Sequence, residues 1–276
     1  MISKPAYAKI NLTLDIVGRR EDGYHLLETV MQTVSLCDRV SVERAENIEI
    51  VCSAEGVPTN EKNTCHKAAR LFFEHVGIRG GVRIIIDKKI PSEAGLGGGS
   101  SDAAATLCLL NELYDAQLSY EELERIGAKV GADVAFCIQG GTVLCQGIGD
   151  EMTKLEALPK RYVLLVKPDF GVSTPEAYKL FDQKGIQSSA GTKAFVDALN
   201  SDDVPYLNIS NDLEIALGND MIEKIRDGLI DLGAEAAQMT GSGSCVFGLF
   251  VNKCDAENAR RVLAGKYPFC ELCETI

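Results

Sequence analysis

The chain has 276 residues, and its 40 Asp and Glu outweigh 28 Lys and Arg to give a formal net charge of −12. That balance argues against a nucleic-acid binder, which presents a basic face or stripe. Hydrophobic content of 46% and charged content of 25% are those of a soluble globular protein, and no apolar run nears the roughly 18 residues needed to span a bilayer.

The length suits one large domain or two modest ones, and the opening MISKPAYAKIN has no signal-peptide core, so the expected location is the cytoplasm. The first periodic stretch is AKINLTLDI, Ala8 to Ile16. Ile10, Leu12, Leu14 and Ile16 fall on one face of a strand, and Lys9, Asn11, Thr13 and Asp15 on the other. The apolar face is core; the polar face meets water or lines a pocket. Residues 5–17 and 28–52 read as strands on either side of the turn-rich GRREDGYH. Residues 61–76 read as a helix opened near Asn63 or Thr64, and 82–90 as a strand. SSDAAATLCLLNELY, residues 100–114, is a helix with almost no polar face, so it is expected to be buried. Residues 119–130 form an amphipathic helix opened by a capping box from Ser119 to Glu122, and 141–147 another strand.

A boundary is expected near residues 152–160, which divides the chain into domains 1–155 and 156–276. The second part starts with the strand RYVLLVKP. A helix follows with Ser173 or Thr174 as cap, Pro175 in its first turn and Glu176 placed to complete a capping box. Helices over 211–232 lead to the turn TGSGS, a buried strand at 245–251 and a last helix near 254–265. Strands and helices mix without a regular βαβ rhythm, which makes the class α+β.

Ten cysteines in a chain of this length with no sign of export do not form a disulfide framework. Cys52, Cys108, Cys137 and Cys145 sit among apolar or small residues and suit buried thiols. Cys270 and Cys273 form a lone CxxC without the further ligands that zinc requires, and are read as thiols of a frayed tail. His66 and His75 lie nine residues apart on one helix and are read as structural.

The chemistry concentrates in PSEAGLGGGSS, residues 91–101, between a strand and a buried helix. Its glycines admit backbone conformations closed to other residues and let a ligand approach the main chain. The loop empties into a helix N-terminus, where free N–H groups and the helix dipole attract an anion. It is not a Walker A loop, since no Lys-Ser/Thr follows, and it lacks the third glycine of a dinucleotide fingerprint. A phosphate loop is favoured over a flexible connector, because a connector seldom feeds straight into an apolar helix. Ser100 and Ser101 are placed to cap the helix, bind phosphate or hold Mg²⁺. In GADVAFC, residues 131–137, Asp133 reads either as a cap or turn aspartate or as a general base that takes a proton from a hydroxyl, with a lysine such as Lys9 to offset charge.

AKINLTLDIVGRREDGYHLLETVMQTV, AGLGGGSSDAA, GADVAF and TGSGSCVF occur in this order. Together they resemble the 4-diphosphocytidyl-2-C-methyl-D-erythritol kinases, a family of the galactokinase/homoserine kinase/mevalonate kinase superfamily, over essentially the whole chain. The resemblance implies a two-domain α+β small-molecule kinase fold, with a ribosomal-S5-like N-terminal domain and a ferredoxin-like C-terminal domain. It implies an enzyme using ATP and Mg²⁺ to phosphorylate the 2-hydroxyl of a cytidyl diphosphate small molecule in the non-mevalonate route to isoprenoid precursors. By motif position, Lys9 and Asp133 correspond to the family's catalytic pair. Pro91, Ser92, Glu93, Ala94, Gly95, Leu96, Gly97, Gly98, Gly99, Ser100 and Ser101 correspond to its ATP-phosphate loop, and Asn63 to a nucleotide contact. Asn11, Tyr24, His25, Thr174 and Tyr178 correspond to substrate-binding positions, with Tyr24 and Tyr178 expected to sandwich the cytosine. No nucleic acid or membrane is expected as partner, and the expected state is a monomer or weak homodimer. Glu93 departs from the small residues the family more often has there; its carboxylate either faces solvent or touches Mg²⁺. The rival readings are another kinase of the superfamily, such as a homoserine or mevalonate kinase, and a non-catalytic nucleotide-binding module.

Overall fold

The computed structural model describes residues 1–201 and 205–276. In chain order the first elements are strands β1 (Ile2–Asn11), β2 (Thr13–Arg19), β3 (His25–Ala45) and β4 (Glu49–Cys52), helix α1 (Thr64–Val76) and strand β5 (Gly81–Asp87). Helices α2 (Gly98–Leu113), α3 (Tyr120–Val130) and α4 (Ala132–Gln139) follow. Next come strands β6 (Thr142–Gln146), β7 (Glu151–Lys154) and β8 (Tyr162–Lys167), helices α5 (Thr174–Lys184) and α6 (Gly191–Leu199), and the short strand β9 (Ser210–Asn211). The remainder is α7 (Asp212–Leu217), α8 (Asp220–Asp231), β10 (Ala236–Met239), β11 (Val246–Phe250), α9 (Lys253–Leu263) and β12 (Phe269–Glu274). The mixture is α+β, as the sequence implies.

The chain divides into two compact units, neither of them continuous in sequence. One comprises Met1–Ala8, Leu36–Ile90 and Gly97–Gly140. In it, β5 pairs antiparallel with Arg39–Ala45 of β3 and parallel with β4. The apolar stripes of α1 to α4 pack into a core with Val40, Val42, Ile84, Ile86, Phe72 and Leu107, all at most 1% exposed. Asn63 caps α1, and its Oδ1 accepts from the Cys65 N–H at 2.8 Å. The capping box of α3 is present in both halves: Ser119 N–H donates to Glu122 Oε2, and Glu122 N–H to Ser119 Oγ.

The other unit comprises Lys9–Ser35, Pro91–Leu96 and Gly141–Ile276. Here β2 pairs antiparallel with the start of β3 and parallel with β9, and β6 lies between β3 and β7. A separate antiparallel sheet runs β10-β11-β8-β12. Its core gathers Leu164, Val166, Val246 and Phe250 with Ile225 and Leu229 of α8 and Ala256 and Ala259 of α9.

Several expectations change. The strand expected over 5–17 breaks at Leu12 into β1 and β2, and the one over 28–52 ends at Ala45 before β4. Helix α2 starts at Gly98, two residues earlier than the apolar pattern marks, so the loop's last glycines form its first turn. GADVAFCIQ contains a helix, α4, too short for its period to be read. Ser173 is the cap residue of α5, but its side chain makes no capping bond, so the expected box is absent. Cys270 and Cys273 are buried on β12 (8% and 9% exposed) instead of fraying, because that strand pairs with β8 along its length. Of the four thiols expected to be buried, Cys145 is, while Cys52, Cys108 and Cys137 are half-buried. No helix among the described residues is long and apolar enough to cross a membrane.

Candidate active site

The polar face of AKINLTLDI meets protein, not water. Lys9 and Asn11 leave β1 on the same side and are each only 4% exposed. A buried polar group is stable only with partners, and these have them. Lys9 Nζ donates to Asn11 Oδ1 at 2.6 Å, and Asn11 Nδ2 donates to Thr29 Oγ1 at 2.9 Å. The Asn11 N–H donates to Thr240 Oγ1 at 3.0 Å, and the Thr240 hydroxyl lies 3.2 Å from its acceptor, the Gly95 carbonyl. The Lys9 N–H reaches the Leu96 carbonyl at 3.1 Å. One continuous network therefore joins the strand, the glycine loop and the TGSGS turn.

The loop and that turn also run side by side through their backbones. Ser244 N–H donates to Glu93 O and Cys245 N–H to Ala94 O, each at 3.3 Å. Gly95 sits at the close approach: its φ is +71°, and a Cβ there would lie 1.9 Å from the Thr240 carbonyl oxygen. Thr174, at the start of α5, bonds its hydroxyl to that of Ser242 at 3.0 Å. Glu93 is exposed, and its carboxylate lies over Gly171, where an added Cβ would come 2.3 Å from Oε2.

In the other unit, Gly97 (φ +69°) caps α2 with no side-chain bond, so the first-turn N–H groups of Gly98, Gly99 and Ser100 have no capping side chain. Such a turn attracts an anion. Ser101 is an anchor, donating to the Tyr7 carbonyl at 2.7 Å, and Thr64 donates to the Gly99 carbonyl at 2.7 Å. Asn63 is engaged at both ends, its Nδ2 donating to Pro58 O at 2.6 Å. Asp133 occupies the first turn of α4 behind Gly131, where a carboxylate is favoured by the helix dipole.

One group in this unit escapes sequence reasoning. Lys88 is buried between Asp38 and Asp102, and Asp102 Oδ2 is 2.8 Å away. A Cβ on Gly98 would lie 3.1 Å from Lys88 Nζ, which puts this cation at the loop. Burial alone lowers its pKa, but Asp102 and Asp38 outweigh burial and hold it above the ordinary lysine value. Asp38 also accepts from the N–H groups of Lys89 and Ile90. Asp102 is less well served: burial pushes its carboxyl up to about 7, Lys88 opposes the rise and Asp38 adds to it. Its Oδ1 has no hydrogen-bond partner among the described residues. The available signal was a lysine pair directly before the loop, which does not say which lysine turns inward.

The expected cytidine residues fall in the same unit as Lys9. His25 stacks on Tyr178 with ring centroids 4.7 Å apart, while Tyr24 projects from the turn, 63% exposed. His25 is thus an aromatic neighbour of Tyr178.

Among known proteins, residues 63–141 match the family model described as the GHMP kinases N terminal domain, and residues 205–268 match GHMP kinases C terminal. The 4-diphosphocytidyl-2-C-methyl-D-erythritol kinase of Clostridium tetani is 45% identical over 276 residues, 98% of this chain and 99% of its own. The crystal structure of a 4-(cytidine 5'-diphospho)-2C-methyl-D-erythritol kinase superposes with a TM-score of 0.83 at 33% identity over 99% of both chains. The homoserine kinase of Cytophaga hutchinsonii shares the fold alone, with a TM-score of 0.75 at 19% identity over 97% of this chain and 94% of its own. On identity and coverage together, the chain belongs to the 4-diphosphocytidyl-2-C-methyl-D-erythritol kinase family of the GHMP kinases.

Proposed function

We propose that the chain transfers the γ-phosphoryl group of ATP to the 2-hydroxyl of 4-diphosphocytidyl-2-C-methyl-D-erythritol, giving the 2-phosphate and ADP, a step of non-mevalonate isoprenoid precursor synthesis. The observation that carries this reading is the buried run from Lys9 through Asn11 and Thr240 to Gly95. It holds a cation in register with a glycine loop, which is what phosphoryl transfer needs, since catalysis there rests on positioning and charge stabilisation. In this reading the main chain of Pro91–Ser101 cradles the phosphates. Asp133 accepts the hydroxyl proton, and Lys9 offsets charge at the reacting oxygens. Asn11 contacts the methylerythritol end, Thr174 lines the substrate side, Tyr24, His25 and Tyr178 hold the cytosine, and Asn63 serves the nucleotide.

No group of three or more His, Cys, Asp or Glu side chains suited to a metal occurs among the described residues. In this reading Mg²⁺ arrives with ATP, because this ion keeps mostly phosphate and water ligands. The Ser100 hydroxyl is the oxygen this chain would add. When bound, the ion neutralises charge on the phosphate oxygens. The acceptor is a tertiary alcohol, so alignment matters more than base strength. The test is ADP release with Mg-ATP and, in turn, the cytidyl substrate, homoserine, mevalonate and galactose. Turnover confined to the cytidyl compound and reduced at least about 100-fold in Asp133→Asn is expected; turnover on another alcohol alone refutes the assignment.

A further inference from the structure

The strand register sets Arg19 of β2 opposite His25 of β3. Across this pair α5 presents Tyr178, Phe181 and Asp182, which share a face by their three- and four-residue spacing. The His25 ring lies flat on Tyr178, with 18° between their planes, and Phe181 meets it edge-on at 6.3 Å. Its Nε2 is 2.8 Å from Asp182 Oδ1, and Asp182 Oδ2 is 3.3 Å from Arg19 Nη1. The His25 side chain is 12% exposed. The two aromatic contacts fix the plane of the imidazole. The carboxylate fixes something else: it only accepts, so Nε2 must carry a proton, and in the neutral ring Nδ1 is then the acceptor.

We propose that Asp182 is a specificity-determining positioning residue, which holds His25 as the Nε2–H tautomer so that Nδ1 accepts from the 4-amino group of cytosine and opposes the 4-carbonyl of uracil. This rests on the reading above that His25 serves the cytidine end of the substrate. Cytosine offers a donor at its 4-position, whereas uracil offers an acceptor there. An acceptor on the protein gains a bond with the first and faces a second lone pair with the other, and leaving such groups unpaired is what gives discrimination. In this proposal Asp182 acts through His25, which it reaches at 2.8 Å.

The experiment compares wild type, Asp182→Ala and Asp182→Asn for phosphoryl transfer from Mg-ATP to the cytidyl substrate and its uridyl analogue. It also records the tautomer of the His25 ring by ¹⁵N spectroscopy, the signal being assigned with His25→Gln. Wild type is expected to show Nε2–H, and the alanine variant a mixture of tautomers. In that variant KM for the cytidyl substrate rises about tenfold and the cytidyl-to-uridyl ratio of kcat/KM falls about tenfold, the effect of one hydrogen bond. Its kcat and the KM for ATP stay within twofold, a split that mere loosening of α5 would not give. An asparagine side chain has the same shape as the aspartate but carries both a donor and an acceptor, so Asp182→Asn gives the same tautomer readout if the alanine variant fails to fold. An unchanged tautomer, or an unchanged ratio, overturns the role of Asp182. Absence of any cytidyl-dependent turnover by wild type overturns instead the functional reading and the cytosine contact with it, while the spectrum still decides whether Asp182 sets the ring.

Discussion

Gly95→Ala isolates the closest backbone approach in the loop. The residue has φ +71°, and its added Cβ would lie 1.9 Å from the oxygen and 2.8 Å from the carbon of the Thr240 carbonyl. These are main-chain atoms, so no rotamer change relieves the collision. Gly77, at the end of α1, is the matched control: its φ is +67°, and nothing lies within 4 Å of its added Cβ. Gly77→Ala therefore carries only the left-handed penalty, about 1–2 kcal/mol. Gly95→Ala carries that penalty, about 1–3 kcal/mol for overpacking, and about 1 kcal/mol for the displaced Thr240–Gly95 hydrogen bond. Together these come to about 3–6 kcal/mol. At roughly 2–4 °C per kcal/mol for a chain of this size, Gly95→Ala is expected to lower Tm by about 6 °C or more beyond wild type, and Gly77→Ala by about half that or less. The loop must also back away from the TGSGS turn, so KM for ATP is expected to rise at least about tenfold in Gly95→Ala and stay within twofold in Gly77→Ala. Thermal unfolding and steady-state ATP kinetics read the two effects. Equal Tm losses in both variants, with KM for ATP unchanged in Gly95→Ala, would refute the reasoning.

Two further perturbations follow from the buried polar groups. The Asp102 carboxyl is raised from 3.8 to about 7 in the folded chain, so its contribution to stability is full below its unfolded value and is lost as pH rises through about 7. Asp102→Asn, isosteric and neutral, is expected to raise stability by about 1–3 kcal/mol at pH 8 and by much less at pH 5; equal gains at both pH values in denaturant titrations would contradict this. Thr240→Val leaves the buried Asn11 N–H without its partner at 3.0 Å and removes the donor to Gly95 O. It is expected to cost about 1–3 kcal/mol and to lower kcat, while Thr240→Ser, which keeps the hydroxyl, restores most of both; equal impairment of the two variants would exclude the hydrogen bonds as the cause.

What the residues announce depends on how far away the partners lie. The Ser119–Glu122 box and the helical period of α3 are settled within four residues, and both are legible. Helix α6 is not, since it starts behind Ala190 in a left-handed conformation with no side-chain cap. Strand β12 owes its existence to pairing with β8, about a hundred residues away, which no local pattern contains. The strongest case is the polar face of β1 and β2. Alternation assigns Lys9, Asn11, Thr13 and Asp15 to solvent or a pocket, yet all four are at most 4% exposed. Asn11 finds Thr240, and Asp15 accepts from the Ser189 hydroxyl at 2.9 Å and the Thr192 N–H at 2.8 Å. A strand buried on both faces would be more stable with apolar residues on both, since each buried polar group must first repay its desolvation. Local rules are expected to break where function requires it. The break in AKINLTLDI covers all four positions, and two of them, Lys9 and Asn11, belong to the network that ends on the glycine loop.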